Sequence, residues 1–168
     1  MQLNMIGTFD GRVWRPLGEG LGTVGSVEAL CVAETTGVGS PAPGLYAAGL
    51  FSDFSGGPQH NLERWDGSQW HDITGLRGPL RSLHLFDEDG PGPQEPSLFV
   101  GGGILEWPGG INASLLRWDG QAFSLPGTGL GPRNARSYVM SMTIFDDDGP
   151  GPRLPALYVA GSFATAGG

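Results

Sequence analysis

The fold is decided by a six-residue stretch that occurs three times, most clearly as Trp65-Asp66-Gly67-Ser68-Gln69-Trp70. The other copies align with it without gaps, at residues 9–14 (Phe-Asp-Gly-Arg-Val-Trp) and 118–123 (Trp-Asp-Gly-Gln-Ala-Phe). Asp-Gly between two apolar segments is a strong signal for a β-hairpin. We expect each hairpin to close through a type I′ turn, with Asp and Gly as central residues at positive φ.

Two other segments recur with the hairpin. Continuous apolar runs start at positions 45, 98 and 157, at intervals of 53 residues (45 to 98) and 59 residues (98 to 157). Such runs are typical of strands covered on both faces, and their terminal small residues suit close backbone approach near a crowded axis. Ahead of each run lies a partly alternating segment, at 27–32, 80–86 and 139–145, which we interpret as another strand.

Each repeat therefore has four predicted strands: A (for example 80–86), B (98–102), C (115–118) and D (121–125). No window longer than ten residues keeps a helical apolar period free of Gly or Pro, so the predicted class is all-β. A single four-stranded sheet with two apolar faces must stack on its neighbours. We predict a β-propeller with three repeats of a four-stranded antiparallel blade, in the order CD, ABCD, ABCD, AB. The corresponding bounds are 1–23, 24–76, 77–130 and 131–168.

The offset of the repeats leads to two hypotheses about assembly. Strands C and D at one end and A and B at the other could complete one blade, but three blades are fewer than the four that propellers need. Two chains could instead pair head to tail as a homodimer, giving a six-bladed ring with twofold symmetry. Alternatively, the chain is a structural fragment or an engineered piece of a longer array, with no ligand of its own.

Charge and composition exclude several functions. The chain has 17 acidic residues, nine arginines and no lysine, for a net charge of −8, whereas binding to nucleic acid needs a basic stripe. Cys31 is the single cysteine, so an intrachain disulfide is impossible. No apolar run approaches the roughly 20 residues that cross a bilayer, and residues 1–9 do not have the pattern of a signal peptide.

The repeat resembles a known family. Its pattern is Leu-Tyr-Val-Ala-Gly-Ser-Phe (157–163), Leu-Leu-Arg-Trp-Asp-Gly (115–120) and Leu-Pro-Gly-Thr-Gly-Leu (125–130). This resembles the kelch-like propeller repeats of large secreted proteins from Planctomycetes and related bacteria, over essentially the whole chain. The kelch pattern has a Gly-Gly doublet that ends the second strand and an aromatic residue in the fourth, which Gly101-Gly102 and Phe123 match.

The resemblance implies a rigid scaffold whose loops bind a protein or surface ligand, outside the cell or on its surface. The chain departs from the pattern where Ala48-Gly49 and Ala160-Gly161 replace the doublet, and in its Trp-Asp-Gly turns. Such a likeness specifies a fold and carries no activity by itself.

Two acidic loops are candidate calcium sites. Asp87 and Asp89 lie in one loop and Asp146 and Asp148 in the other, each followed by a glycine, and Ca²⁺ binds several converging carboxylates. Pro-Gly-Pro follows in both loops, where a calcium loop would supply a later acidic ligand. We therefore favour solvated A-to-B hairpin loops and keep calcium binding as the alternative.

We predict no enzymatic activity and no cofactor. No Gly-x-Ser-x-Gly occurs, and His60, His71 and His84 lack metal-binding spacing. A glycosidase of propeller type would require a pair of carboxylates in a central funnel. Trp107 lies outside the repeat consensus, beside Pro108, and could stack on a sugar ring. A carbohydrate-binding lectin is therefore the second functional hypothesis, although a plain surface aromatic is the favoured interpretation of Trp107.

Overall fold

The computed structural model of the chain describes residues 3–52, 60–108, 113–131 and 137–167. The regular secondary structure of these residues consists of β-strands alone, which confirms the all-β prediction. The strands are β1 (Gly7–Phe9), β2 (Trp14–Pro16), β3 (Val24–Ala33), β4 (Gly44–Ser52), β5 (His60–Trp65), β6 (Trp70–Asp72), β7 (Leu80–Phe86), β8 (Ser97–Leu105), β9 (Ala113–Trp118), β10 (Phe123–Ser124), β11 (Tyr138–Phe145) and β12 (Ala156–Ser162). The described residues include no helix of the length and apolarity that a bilayer crossing requires.

The strands of the described residues form antiparallel sheets of two, four, four and two strands along the chain. The first full sheet has the order β3-β4-β5-β6 and the second has the order β7-β8-β9-β10. The N-terminal half-sheet is β1-β2 and the C-terminal half-sheet is β11-β12. Their strand content is that of the predicted CD, ABCD, ABCD and AB groups. Because neighbouring strands follow one another along the chain, each sheet is a simple meander.

The two full sheets pack face to face through the largest apolar cluster. Strand β4 carries a continuous apolar run because both of its faces are covered. Tyr46 and Ala48 pack in this cluster with the second full sheet, while Ala47 packs with Ile6 and Leu21, which lie outside the strands of the N-terminal half-sheet. Burial raises the pKa of Tyr46 to about 12, and its hydroxyl donates a hydrogen bond to the carbonyl of Ala42 (2.8 Å). The fully buried members of the cluster are Tyr46, Ala48, Leu62, Leu80, Leu98, Val100, Leu105 and Leu116.

A β-bulge recurs at the same place in every A–B pair. The register shifts between Val27 and Ala29, between Leu80 and Ser82, and between Val139 and Ser141. The strand B residues opposite are Gly49, Gly102 and Gly161, where an added Cβ would overlap the carbonyl oxygens of Ser26, Pro79 and Tyr138. The predicted close approach therefore exists, but it is made to strand A of the same sheet and results from the bulge.

The Asp-Gly hairpins form where predicted, with a different turn. The flanking aromatics are paired, as in Trp65 with Trp70, but only the glycine of each turn has positive φ, for example Gly67 at 103°. The type I′ prediction is therefore wrong, since glycine is the first central residue, a pattern typical of type II′. Asp66 precedes the turn, and its Oδ1 accepts the amide N–H groups of Ser68 (2.8 Å) and Gln69 (2.9 Å).

We expect the Asp66 turn to contribute stability that depends on pH. The hydrogen bond from His71 Nε2 (2.6 Å), together with the Gln69 and Ser68 donors, holds the pKa of Asp66 well below its ordinary value. This contribution is present above the ordinary carboxyl pKa and is lost as the pH falls through the lower folded value. Asp66→Ala should lower the melting temperature at pH 7, and its difference from wild type should shrink toward pH 2.

Thermal unfolding followed by circular dichroism at several pH values measures this effect. The control is Glu34→Ala, which removes an exposed carboxylate outside the turns. Equal melting temperatures for Asp66→Ala and Glu34→Ala at pH 7 would contradict the role assigned to the turn.

Candidate functional site

The two acidic loops have the same internal geometry. Oδ1 of Asp146 accepts the amide N–H of Asp148 (3.3 Å), and Oδ1 of Asp87 accepts that of Asp89 at the same distance. Oδ2 of Asp148 accepts the amide N–H of Arg153 (3.2 Å). In the same way, Oδ2 of Asp89 accepts the amide N–H of Gln94 (3.2 Å). The carboxylates therefore shape the hairpin loops by binding backbone amides.

Arginine side chains also reach these loops. Arg153 lies 3.1 Å from Asp147 and 3.4 Å from Asp148, and Arg117 of β9 lies 2.8 Å from Glu88. Carboxylate oxygens of residues 146–148 come within 4.8 Å of one another, close enough to share a cation, in the part of the chain that the structure describes. The guanidinium of Arg153 already lies against two of these carboxylates, so the favoured interpretation remains a structural loop.

Trp107 lines a groove of about 430 Å³ between the outer parts of the two full sheets. It is half-buried and packs against the core cluster, and its indole N–H is enclosed without an acceptor among the described residues. Trp118, Gln121 and Asp72 also line the groove. Two indole rings with a carboxylate and an amide offer both a stacking surface and hydrogen-bonding groups.

The three histidines lie apart in the repeat, in different environments. The ring of His71 donates to Asp66 in a turn, and Nδ1 of His84 lies 3.0 Å from the carbonyl of Leu85. His60, at the start of β5, is different because it lies between two carboxylates. Its Nδ1 is 3.5 Å from Glu63 Oε1 and 3.3 Å from Asp72 Oδ1, as in an ion pair, though neither contact has hydrogen-bond geometry.

The His60 group is a departure from the repeat that the sequence analysis missed. Counted from the hairpin aromatics, Glu63 corresponds to Leu116 and Asp72 to Leu125. In the second full sheet Leu116 is fully buried against the first, and Leu125 packs beside it. The signal was available in the sequence, as two acidic residues at positions that are apolar in the next copy.

Glu63 and His60 line a cavity of about 550 Å³, here called the His60 cavity. It lies between the first full sheet and the segment that follows the N-terminal half-sheet. Glu63 is only 8% exposed, although its side chain ends in a carboxyl group. Asn4, Glu19, Ser52 and the loop of residues 20–23 complete the wall. The wall of this cavity is polar and acidic, whereas the facing surfaces of the two full sheets are apolar.

No family model matches the chain, and neither a curated protein nor a solved structure matches it.

Two apolar faces are open, one on the C-terminal half-sheet and one on strand β3 of the first full sheet. Tyr158 of β12 is 44% exposed, although its repeat equivalents Tyr46 and Phe99 are 0% and 3% exposed in the full sheets. On the opposite side of the molecule, Leu30 of β3 is 52% exposed, whereas its equivalent Leu83 is 7% exposed. Each exposed residue occupies a position that a neighbouring sheet covers elsewhere in the chain. Both faces therefore have the composition of an interior surface.

Proposed function

We propose that this protein is a non-catalytic β-propeller scaffold that binds a protein or surface ligand, and that two copies complete a six-bladed ring. The observation that carries the proposal is the pair of open apolar faces, one on the C-terminal half-sheet and one on strand β3 of the first full sheet, whose exposed residues Tyr158 and Leu30 have buried equivalents elsewhere in the chain. The resemblance to kelch-like repeats and a location outside the cell belong to the same proposal. Nucleic acid and membranes are not proposed as partners.

The register of the missing pairing follows from the full sheets. There, Leu45 pairs with Trp65 and Leu98 with Trp118, at equivalent positions of strands B and C. The same register pairs Leu157 of one copy with Phe9 of the other. Strands β11 and β12 then supply A and B of a composite sheet, and β1 and β2 of the second copy supply C and D.

The open faces are complementary in this arrangement. The face of the C-terminal half-sheet that carries Tyr158 and Phe145 would pack on the first full sheet of the second copy. That sheet exposes Leu30 and Val32, which face the place where strands A and B of a preceding sheet would lie. Apolar side chains are thus covered on both partners, the main driving force for association.

Ring closure is consistent with the number of sheets. Each copy contributes two full sheets and one half of each composite sheet, so two copies make six. Six lies within the four to eight blades of natural propellers, and a twofold axis makes both composite sheets identical. The test is the molar mass in solution, for which we expect a dimer.

The Trp107 groove favours a second candidate function, the binding of carbohydrate. Sugars present one apolar face to aromatic rings and hydroxyl groups to polar side chains, which Trp107, Trp118 and Gln121 supply. We expect a glycan array to give specific signals that Trp107→Ala abolishes and Trp14→Ala retains. Trp14 is the tryptophan control because it lies on β2 and does not line the groove. An array without signals for the wild type would eliminate this candidate.

A further inference from the structure

We propose that Arg12 and Arg153 form two charged turn–loop contacts between the copies of the proposed ring. In each contact an Asp-Gly turn of one copy lies on an A-to-B loop of the other. The contacts rest on the proposed ring, and they lie outside the open apolar faces and the strand register from which that ring is derived.

A contact of this kind exists within the chain. The turn at Gly120 of the second full sheet lies on the A-to-B loop of the first, where an added Cβ on Gly120 would overlap the carbonyl oxygen of Ser40. Pro41, the next residue of that loop, is fully buried. Because each full sheet is a meander, its A-to-B loop and its Asp-Gly turn lie at the same end. A turn can therefore lie on the loop of the preceding sheet.

The A-to-B loops of successive sheets also contact one another. They have equal lengths and span 34–43, 87–96 and 146–155. The side chain of Glu95 lies against Gly37 of the first loop, and that of Leu154 lies against Gly90 of the second. Gly149 is the equivalent residue of the third loop, and the space beside it is open among the described residues. The row of loops therefore ends at the third loop, beside which the proposed ring places the second copy.

The turns at Gly11 and Gly67 have no such loop beside them in the described part of the chain. A Cβ at either position would enter open space, unlike a Cβ on Gly120. In the proposed ring, the loop of the preceding sheet belongs to the other copy for both turns. Gly67 then meets the loop 146–155, and Gly11 meets the loop 87–96.

The Arg153 contact brings opposite charges together. Arg153 occupies the position of the buried Pro41 in its loop, so it would lie beside the turn of Asp66 in the other copy. Its side chain is 64% exposed, and Asp66 is exposed as well. Arg153 contacts carboxylates of its own loop through Nη1 and Nε, whereas Nη2 has no partner among the described residues. Nη2 is therefore the group that can donate to the second copy.

The Arg12 contact has the reverse arrangement. Arg12 lies in the N-terminal turn and is exposed, whereas Asp10 of the same turn is paired with Arg15. The loop 87–96 that this turn would meet has four carboxylates and no basic residue. A positive turn thus meets an acidic loop here, as an acidic turn meets an arginine in the other contact.

The contact within the chain lacks both arginines. Gln121 occupies the position of Arg12 in its turn, and Pro41 occupies the position of Arg153 in its loop. Each arginine therefore stands where a second copy would be met. Charges at the edge of an interface mainly steer association and select the partner. We infer that these two contacts favour the head-to-tail arrangement of two copies over other pairings.

Fluorescence-detected sedimentation over a wide range of concentrations measures the dissociation constant of the dimer. At low ionic strength we expect Arg12→Glu and Arg153→Glu each to raise this constant about tenfold or more, because each places like charges together. The difference from wild type should shrink in about 1 M NaCl, where the Debye length is about 3 Å. Because both side chains are exposed, the circular dichroism spectrum of each variant should match that of the wild type.

Two further variants separate these contacts from an effect of net charge. Arg77→Glu makes the same change of charge in the connection between β6 and β7, at the opposite end of the sheet, and should leave the dissociation constant unchanged. Gln94→Arg introduces an arginine at the loop position that corresponds to Arg153. Combined with Arg12→Glu in one chain, it should restore the affinity of the wild type.

The possible outcomes distinguish the contacts from the ring itself. A wild type that stays monomeric would contradict the proposed ring and the contacts together. A dimeric wild type that responds equally to Arg12→Glu, Arg153→Glu and Arg77→Glu would overturn the contacts alone. The same conclusion follows if Gln94→Arg does not restore the affinity that Arg12→Glu removes.

Discussion

Gly102→Ala should lower the free energy of unfolding by about 1–3 kcal/mol, the usual cost of overpacking a tightly packed site. A Cβ at this position would overlap the carbonyl oxygen of Pro79, which is backbone and cannot rotate away. Relief would require the β7–β8 bulge of the second full sheet to open. In a domain of this size the loss corresponds to about 2–4 °C in melting temperature for each kcal/mol.

The neighbouring glycine provides the control for this variant. A Cβ on Gly103 would meet only the ring of Pro79, at 3.1 Å, and Gly103 does not have positive φ. Urea denaturation of the two variants should therefore show a clearly larger loss for Gly102→Ala. Equal losses would contradict the explanation of the recurring glycine by the bulge.

Tyr158→Glu should convert the dimer to a monomer. In the proposed ring this side chain is buried against the second copy, as its equivalent Tyr46 is buried within the chain. A carboxylate there would be desolvated without a partner, at a cost of several kcal/mol. In the separate chain the position is exposed, so we expect the fold of the monomer to be retained, as circular dichroism can verify.

The control for the interface is Val38→Glu. Val38 is exposed in the loop between β3 and β4, outside the strands that form the open faces, so the same new charge should leave the molar mass unchanged. A dimer that persists in Tyr158→Glu, or that is lost equally in Val38→Glu, would contradict the proposed interface.

Much of the fold could be predicted from residues that act locally. The paired aromatics around Asp66-Gly67 specify a hairpin wherever they occur, because strand pairing and turn are set within six residues. The turn type was mispredicted for an equally local reason: the Asp66 carboxylate binds the amides of Ser68 and Gln69 and so occupies the position before the turn. Propensity alone does not distinguish an Asp at that position from an Asp inside the turn.

The candidate sites depend on which sheets face one another, so less of them could be predicted. Trp107 was recognised as a departure from the consensus, but its groove exists only because Trp118 and Asp72 come from different sheets. His60 and Asp72 are twelve positions apart and meet only when β5 pairs with β6. Comparing the copies position by position would have revealed Glu63, since the repeat itself specifies an apolar residue there.

The most direct test of ring closure is the molar mass of the wild-type chain in solution, measured by light scattering over a range of concentrations. The proposal predicts a dimer of about 35 kDa, twice the 17.6 kDa of one chain, with its mass independent of concentration in the micromolar range. A sharp monomer of 17.6 kDa at all concentrations would contradict it.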